Sequence, residues 1–94
     1  MYFSVDNTGL PELNMTKEKI ASIAMKKIYQ LIPSEKEADY PGEIYAINKN
    51  SEGVWLVEYR IPLIEFSDKG ARPIFETIDL KIKDDGSILS VKQG

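Results

Sequence analysis

Fifteen carboxylates and five tyrosines carry most of the chemistry available to this chain, because its 94 residues include neither histidine nor cysteine. Without histidine there is no ordinary general base near neutral pH, no partner for a serine nucleophile and no common transition-metal ligand. Without cysteine there are no thiolate metal sites, disulfides or thiol nucleophiles. What remains is carboxylate and aromatic recognition. Its densest cluster is the segment PSEKEADYPG, residues 33–42, where Glu35, Glu37 and Asp39 stand against a single lysine, with Glu43 just beyond. Such a loop can receive a basic partner, with Tyr40 as an aromatic anchor of the kind enriched at interface hot spots. The plainer reading is a solvated loop, which charge runs usually are, with Tyr40-Pro41 packing it down.

Three further residues could line a ligand pocket. Trp55 and Tyr59 share a strand face with Val57, the best apolar strand face in the chain, so core packing competes with a pocket-lining role. Glu76 breaks the alternation of its strand, falling between Ile74 and Ile78. It reads either as an inward acid or as the mark of a strand end, a guarded edge or a bulge, with Phe75 swapping the facing. Glu58, Arg60, Asp79 and Lys81 are expected on the outer sheet face, opposite charges across from each other if their strands pair. Asp84-Asp85-Gly86 lacks the spaced carboxylates and closing glutamate of a calcium loop and reads as a turn. An enzyme using Glu76 or Glu58 would need a second carboxylate placed to act with it, and the pattern supplies none. The sequence therefore points to a non-enzymatic domain with no catalytic residues, metal or cofactor.

These side chains must be positioned by a single domain, since a chain of this length has one core's worth of apolar residues. Hydrophobic residues are 43% and charged residues 29%, ordinary globular usage. A net charge of −3 gives no electrostatic reason to seek nucleic acid or an anionic membrane, and favours a basic protein partner. No run of apolar residues is long enough to span a bilayer. The first residues lack the basic and apolar regions of a signal peptide. As written the chain reads as cytoplasmic, with an envelope or secreted location if a leader had been removed.

Residues 1–15 read as an irregular lead-in with a short strand at Tyr2–Val5; residues 16–94 read as the α+β domain. A helix is expected from Thr16, whose hydroxyl can cap the first turn, with Met15 stapling against Ile20. Ile20, Ile23, Ala24, Ile28 and Leu31 follow helical spacing, and Pro33 ends the run. From Glu43 the period changes to two. Strands are expected at Glu43–Lys49, Val54 to about Ile61, around Ile74–Lys83, and Ser87–Lys92. Pro62 is expected to bend or interrupt the second strand, with Leu63–Phe66 continuing past the bend. Asp85-Gly86 signals a tight hairpin. Short links force antiparallel neighbours, so the order specifies one N-terminal helix packed on a curved four-stranded antiparallel meander.

In this order the helix TKEKIASIAMKKI, the strand GVWLVEY and the closing hairpin IDLKIKDDGSILSV resemble the cystatin-like group of α+β domains. Within it the chain is similar to PepSY-type modules and to toxin-immunity proteins of nuclear-transport-factor-like fold. The first resemblance implies a regulatory or small-ligand-binding module of the bacterial cell envelope, and the second an inhibitory protein bound to its target. Oligomeric state is left open by the sequence.

Overall fold

The computed structural model describes residues 15–94; the lead-in strand expected at Tyr2–Val5 lies outside them. Helix α1 runs Lys17–Leu31 with Thr16 as its N-cap. The Thr16 Oγ1 accepts the Lys19 N–H at 3.2 Å, and Glu18 in the first turn complements the positive end of the helix dipole. A short 3-10 helix, Pro33–Glu37, follows. Strands β1 (Glu43–Lys49), β2 (Val54–Ser67), β3 (Gly70–Lys83) and β4 (Ile88–Gln93) form one antiparallel sheet in the order β1-β2-β3-β4. Among the described residues the architecture is the expected α+β one, a single N-terminal α-helix on an open four-stranded meander.

The core lies between the helix and one sheet face. Ile20, Ala24 and Ile28 meet Trp55, Val57, Tyr59 and Ile61 of β2 and Ile78, Leu80 and Ile82 of β3, all buried. Each large apolar side chain removed from water here contributes about 1.5–3 kcal/mol. Met15, Ile44, Ile47, Ile88 and Val91 pack around this centre. The spacing of Ile44 and Ile47 breaks the two-residue period because β1 carries a bulge between Ile44 and Ala46. Tyr45 is the extra residue and is exposed. A second irregularity opposite Lys81/Ile82 in β4 likewise leaves Leu89 exposed between Ile88 and Ser90. Both edge strands are thus bulged, a recognised guard against edge-to-edge pairing.

Pro62 does not interrupt β2: pairing with β3 is continuous from Val54↔Lys83 to Ser67↔Gly70. The reason is which way its missing N–H points. Thr77 exchanges both backbone hydrogen bonds with Gly94, at 3.2 and 3.0 Å, so its polar groups face the β4 side. By alternation Phe75 and Pro73 face that side too, while their partners across the ladder, Pro62 and Ile64, face the β1 side. β1 begins only opposite Arg60, and β4 ends opposite Ile78. Both prolines therefore omit an N–H that would have pointed at an open edge, where no ladder bond is lost.

The register also corrects the outer-face charges. Glu58 lies opposite Asp79 rather than opposite a cation. Arg60 relieves Glu58 from within its own strand, Nε to Oε2 at 2.7 Å. Glu76 pairs with Ile61 in unbroken register, so Phe75 marks no bulge; Glu76 is half-buried on the helix-side face.

The β3–β4 turn closes as a three-residue loop: Gly86 N–H donates to the Lys83 carbonyl and Lys83 N–H to that of Ser87. Gly86 has φ +93, which a side-chain-bearing residue adopts only at a cost. Replacing Ile28 by alanine should lower the unfolding free energy by about 2–5 kcal/mol in a urea titration. Leu89→Ala, at an exposed bulge, should change it by no more than about 0.5 kcal/mol.

Candidate functional site

Helix α1 closes with Ile32 N–H donating to the Ile28 carbonyl at 2.8 Å, and Pro33 then starts the 3-10 helix. That tight turn directs Glu35 inward. It is the one buried charged side chain among the described residues, at 7% exposure. Its Oε1 accepts the Gly42 N–H and the Tyr59 hydroxyl, each at 2.7 Å. Glu35 is therefore not part of any partner-facing surface, contrary to its expected place in the acidic patch. It is the pin that joins the helix exit, the entry to β1 and the middle of β2.

Gly42 is the matching half of this pin. A Cβ on it would stand 2.5 Å from the Arg60 carbonyl oxygen and 2.7 Å from the Tyr59 ring, so only glycine lets the chain pass this close to β2. Residues 36–41 are consequently tied at both ends. Glu37, Asp39 and Tyr40 point outward from this loop, with Glu43 exposed just past it. Tyr40 is 84% exposed and does not pack the loop down. A shallow groove of about 620 Å³ adjoins it, lined by Met25, Tyr29 and Pro33 with Lys26, Lys36 and Glu37 at its sides.

The three expected pocket residues are not brought together around a cavity. Trp55 and Tyr59 are covered by the helix, while Glu76 lies farther along the hairpin. Trp55 instead donates its indole N–H to Asp84 Oδ1 at 2.9 Å, and Lys49 Nζ meets the other oxygen at 3.1 Å. The indole bond, then the Lys49 bond, hold the Asp84 carboxyl below the usual carboxylate range. A sequence reading of Asp84 as a turn residue misses this second pin because its partners are 29 and 35 positions away. A second groove, of about 600 Å³, crosses the outer sheet face over Ala46, Asn48, Leu56 and Ser90, with Glu58, Asp79, Lys81 and Lys92 around it.

Two features carried no clear sequence signal. The Arg60 guanidinium stacks 3.4 Å above the Tyr45 ring centroid on the outer sheet face. The far half of the β2–β3 hairpin exposes Ile64, Phe66 and Phe75. Nothing in the local pattern marks where the helix cover ends.

Among the described residues no group of three or more metal-binding side chains converges, and no helix is long and apolar enough to cross a membrane. Comparison with family models, with curated proteins and with solved structures returned no match.

The Tyr59 hydroxyl is shifted well above the ordinary tyrosine range, first by burial and next by its bond to Glu35. The folded state therefore holds this proton at pH values where the unfolded chain has lost it. Tyr59 contributes its full stability below about pH 10, and that contribution falls as pH rises further. In the alkaline limb, wild type should lose about 1.4 kcal/mol per pH unit more than Tyr59→Phe, read from urea midpoints at each pH. Gly42→Ala should cost about 1–3 kcal/mol by the same measurement, because its clash is with backbone.

Proposed function

We propose that this is a non-enzymatic protein-binding domain that engages a basic partner through the loop of residues 36–43. The observation that carries the reading is Tyr40, an aromatic ring left 84% exposed among Glu37, Asp39 and Glu43 on a loop pinned from inside by Glu35. A loop held at both ends loses little entropy on binding, and an exposed tyrosine supplies contact area at low rotamer cost. The surrounding carboxylates steer a cationic surface toward it. An inhibitory or immunity-type role, in which the domain covers a functional surface of its target, is the concrete form of this proposal. The alternative of a small-ligand module of the cell envelope gains no support from Trp55 and Tyr59, whose shared face is filled by Ile20, Ala24 and Ile28.

The test is capture of a partner from the native source, followed by titration with loop variants. Glu37→Lys with Asp39→Lys, which moves the net charge from −3 to +1, should weaken binding at least about tenfold. Tyr40→Ala should do the same with little change in salt dependence. Binding by wild type should weaken as salt shortens the screening length toward about 8 Å and below. A partner retained equally by all variants would overturn the proposal.

A further inference from the structure

The helix and the long hairpin differ in length. Fifteen helical residues span about 22 Å, whereas the fourteen-residue strands β2 and β3 span about 46 Å. Beyond Ile61 the hairpin runs on as a two-stranded arm. On the face away from the helix, register places Pro62 beside Phe75, Ile64 beside Pro73, and Phe66 beside Ala71. Ile64, Phe66 and Phe75 are 62%, 79% and 60% exposed. At about 150–250 Å² per aromatic side chain, this face offers roughly 400–500 Å² of apolar surface, near the largest patch a soluble monomer usually shows.

We infer that this arm is a self-association surface, on which the arm of a second copy packs face to face. Edge pairing is the poorer option, because Pro62 and Pro73 each remove an N–H from an open edge. The face itself is self-complementary. A two-fold axis crossing the strands at the Ile64↔Pro73 pair reverses the arm while keeping β2 over β2. Phe66 then lies over the partner copy's Pro62 and Phe75 over its Ala71, so each large ring meets a small residue. The contact is isologous and closes at two copies.

Charge favours a second copy over another kind of occupant. Residues 60–76 hold three basic side chains (Arg60, Lys69, Arg72) and three acidic ones (Glu65, Asp68, Glu76), so the arm is neutral on a chain of net charge −3. Two arms do not repel, and a strongly charged partner gains nothing there. The paired faces would bury about 800–1,000 Å², at the low end for specific contacts. A weak dimer is therefore expected, with Kd in the tens of micromolar, roughly.

The inference is independent of the acidic loop and is tested without any partner. Sedimentation equilibrium of the full chain up to about 500 µM should show a monomer–dimer equilibrium, weakened at least tenfold by Phe66→Asp. Phe66 is exposed, so its circular dichroism and thermal midpoint should stay close to wild type. Because the chain has no cysteine, Ile64→Cys places one thiol beside the proposed axis. A short bismaleimide should link two such chains much faster than two Leu89→Cys chains. Monomer throughout, a dimer unaffected by Phe66→Asp, or equal linking at both positions would overturn the inference. A monomer that still binds its basic partner would overturn it while leaving the loop proposal standing.

Discussion

One helix has to cover a sheet whose central strands are about twice its length, and most of the molecule follows from that mismatch. The covered half becomes a sealed core, in which Ile20, Ala24 and Ile28 meet two strands of alternating apolar residues. The uncovered half must survive in water as a ribbon. Glu76 sits at the border, on the helix-side face next to Ile61 but half-buried. Farther out, Glu65 and Arg72 face each other at 2.6 Å on that same face, replacing apolar packing with an exposed ion pair. Such a pair adds little stability but keeps one side of the ribbon soluble. The other side remains apolar, with Ile64, Phe66 and Phe75 open to water.

The two pins divide the labour of holding the single layer in place. Asp84 collects Trp55 and Lys49, tying the β3–β4 turn to β2 and to the end of β1. Glu35 collects Gly42 and Tyr59 at the opposite end of the covered region. Removing a buried acceptor such as Glu35 leaves two donors unsatisfied, and each costs about 1–3 kcal/mol. Its conformational role therefore accounts for a buried carboxylate without any appeal to catalysis. The same bond fixes where the loop of residues 36–41 begins and ends.

The helix limits, the first strand and the closing hairpin were legible in the sequence because each rests on local rules: a threonine cap, a two-residue period, a glycine at a positive-φ turn position. What failed was non-local. Pro62 reads as a bend or an interruption of the strand because its effect depends on which edge it faces, and that depends on where β1 and β4 stop. Glu35 looked like its neighbours Glu37 and Asp39, since nothing within the loop distinguishes a carboxylate facing Tyr59, 24 residues away, from one facing water. The expected opposition of charges between β2 and β3 failed by register: Glu58 meets Asp79, and a shift of one residue changes every such pair. The bulges at Tyr45 and Leu89 were likewise hidden, since Ile44 and Ile47 reveal one only once both are known to face inward.

The loop and the arm are neighbours in space yet opposite in chemistry. Glu43, which ends the acidic segment, pairs with Arg60, and Pro62 two residues later starts the uncovered ribbon. A partner on the loop would therefore sit beside the base of the arm, within reach of the Arg60–Tyr45 stack. Attraction at the loop is coulombic and declines with salt, whereas contact along the arm is apolar and does not. If both surfaces are used, raising the salt concentration should release the partner first and leave the paired arms intact. A single surface serving both purposes would lose both together. The neutrality of residues 60–76 on an acidic chain makes that separation physically available.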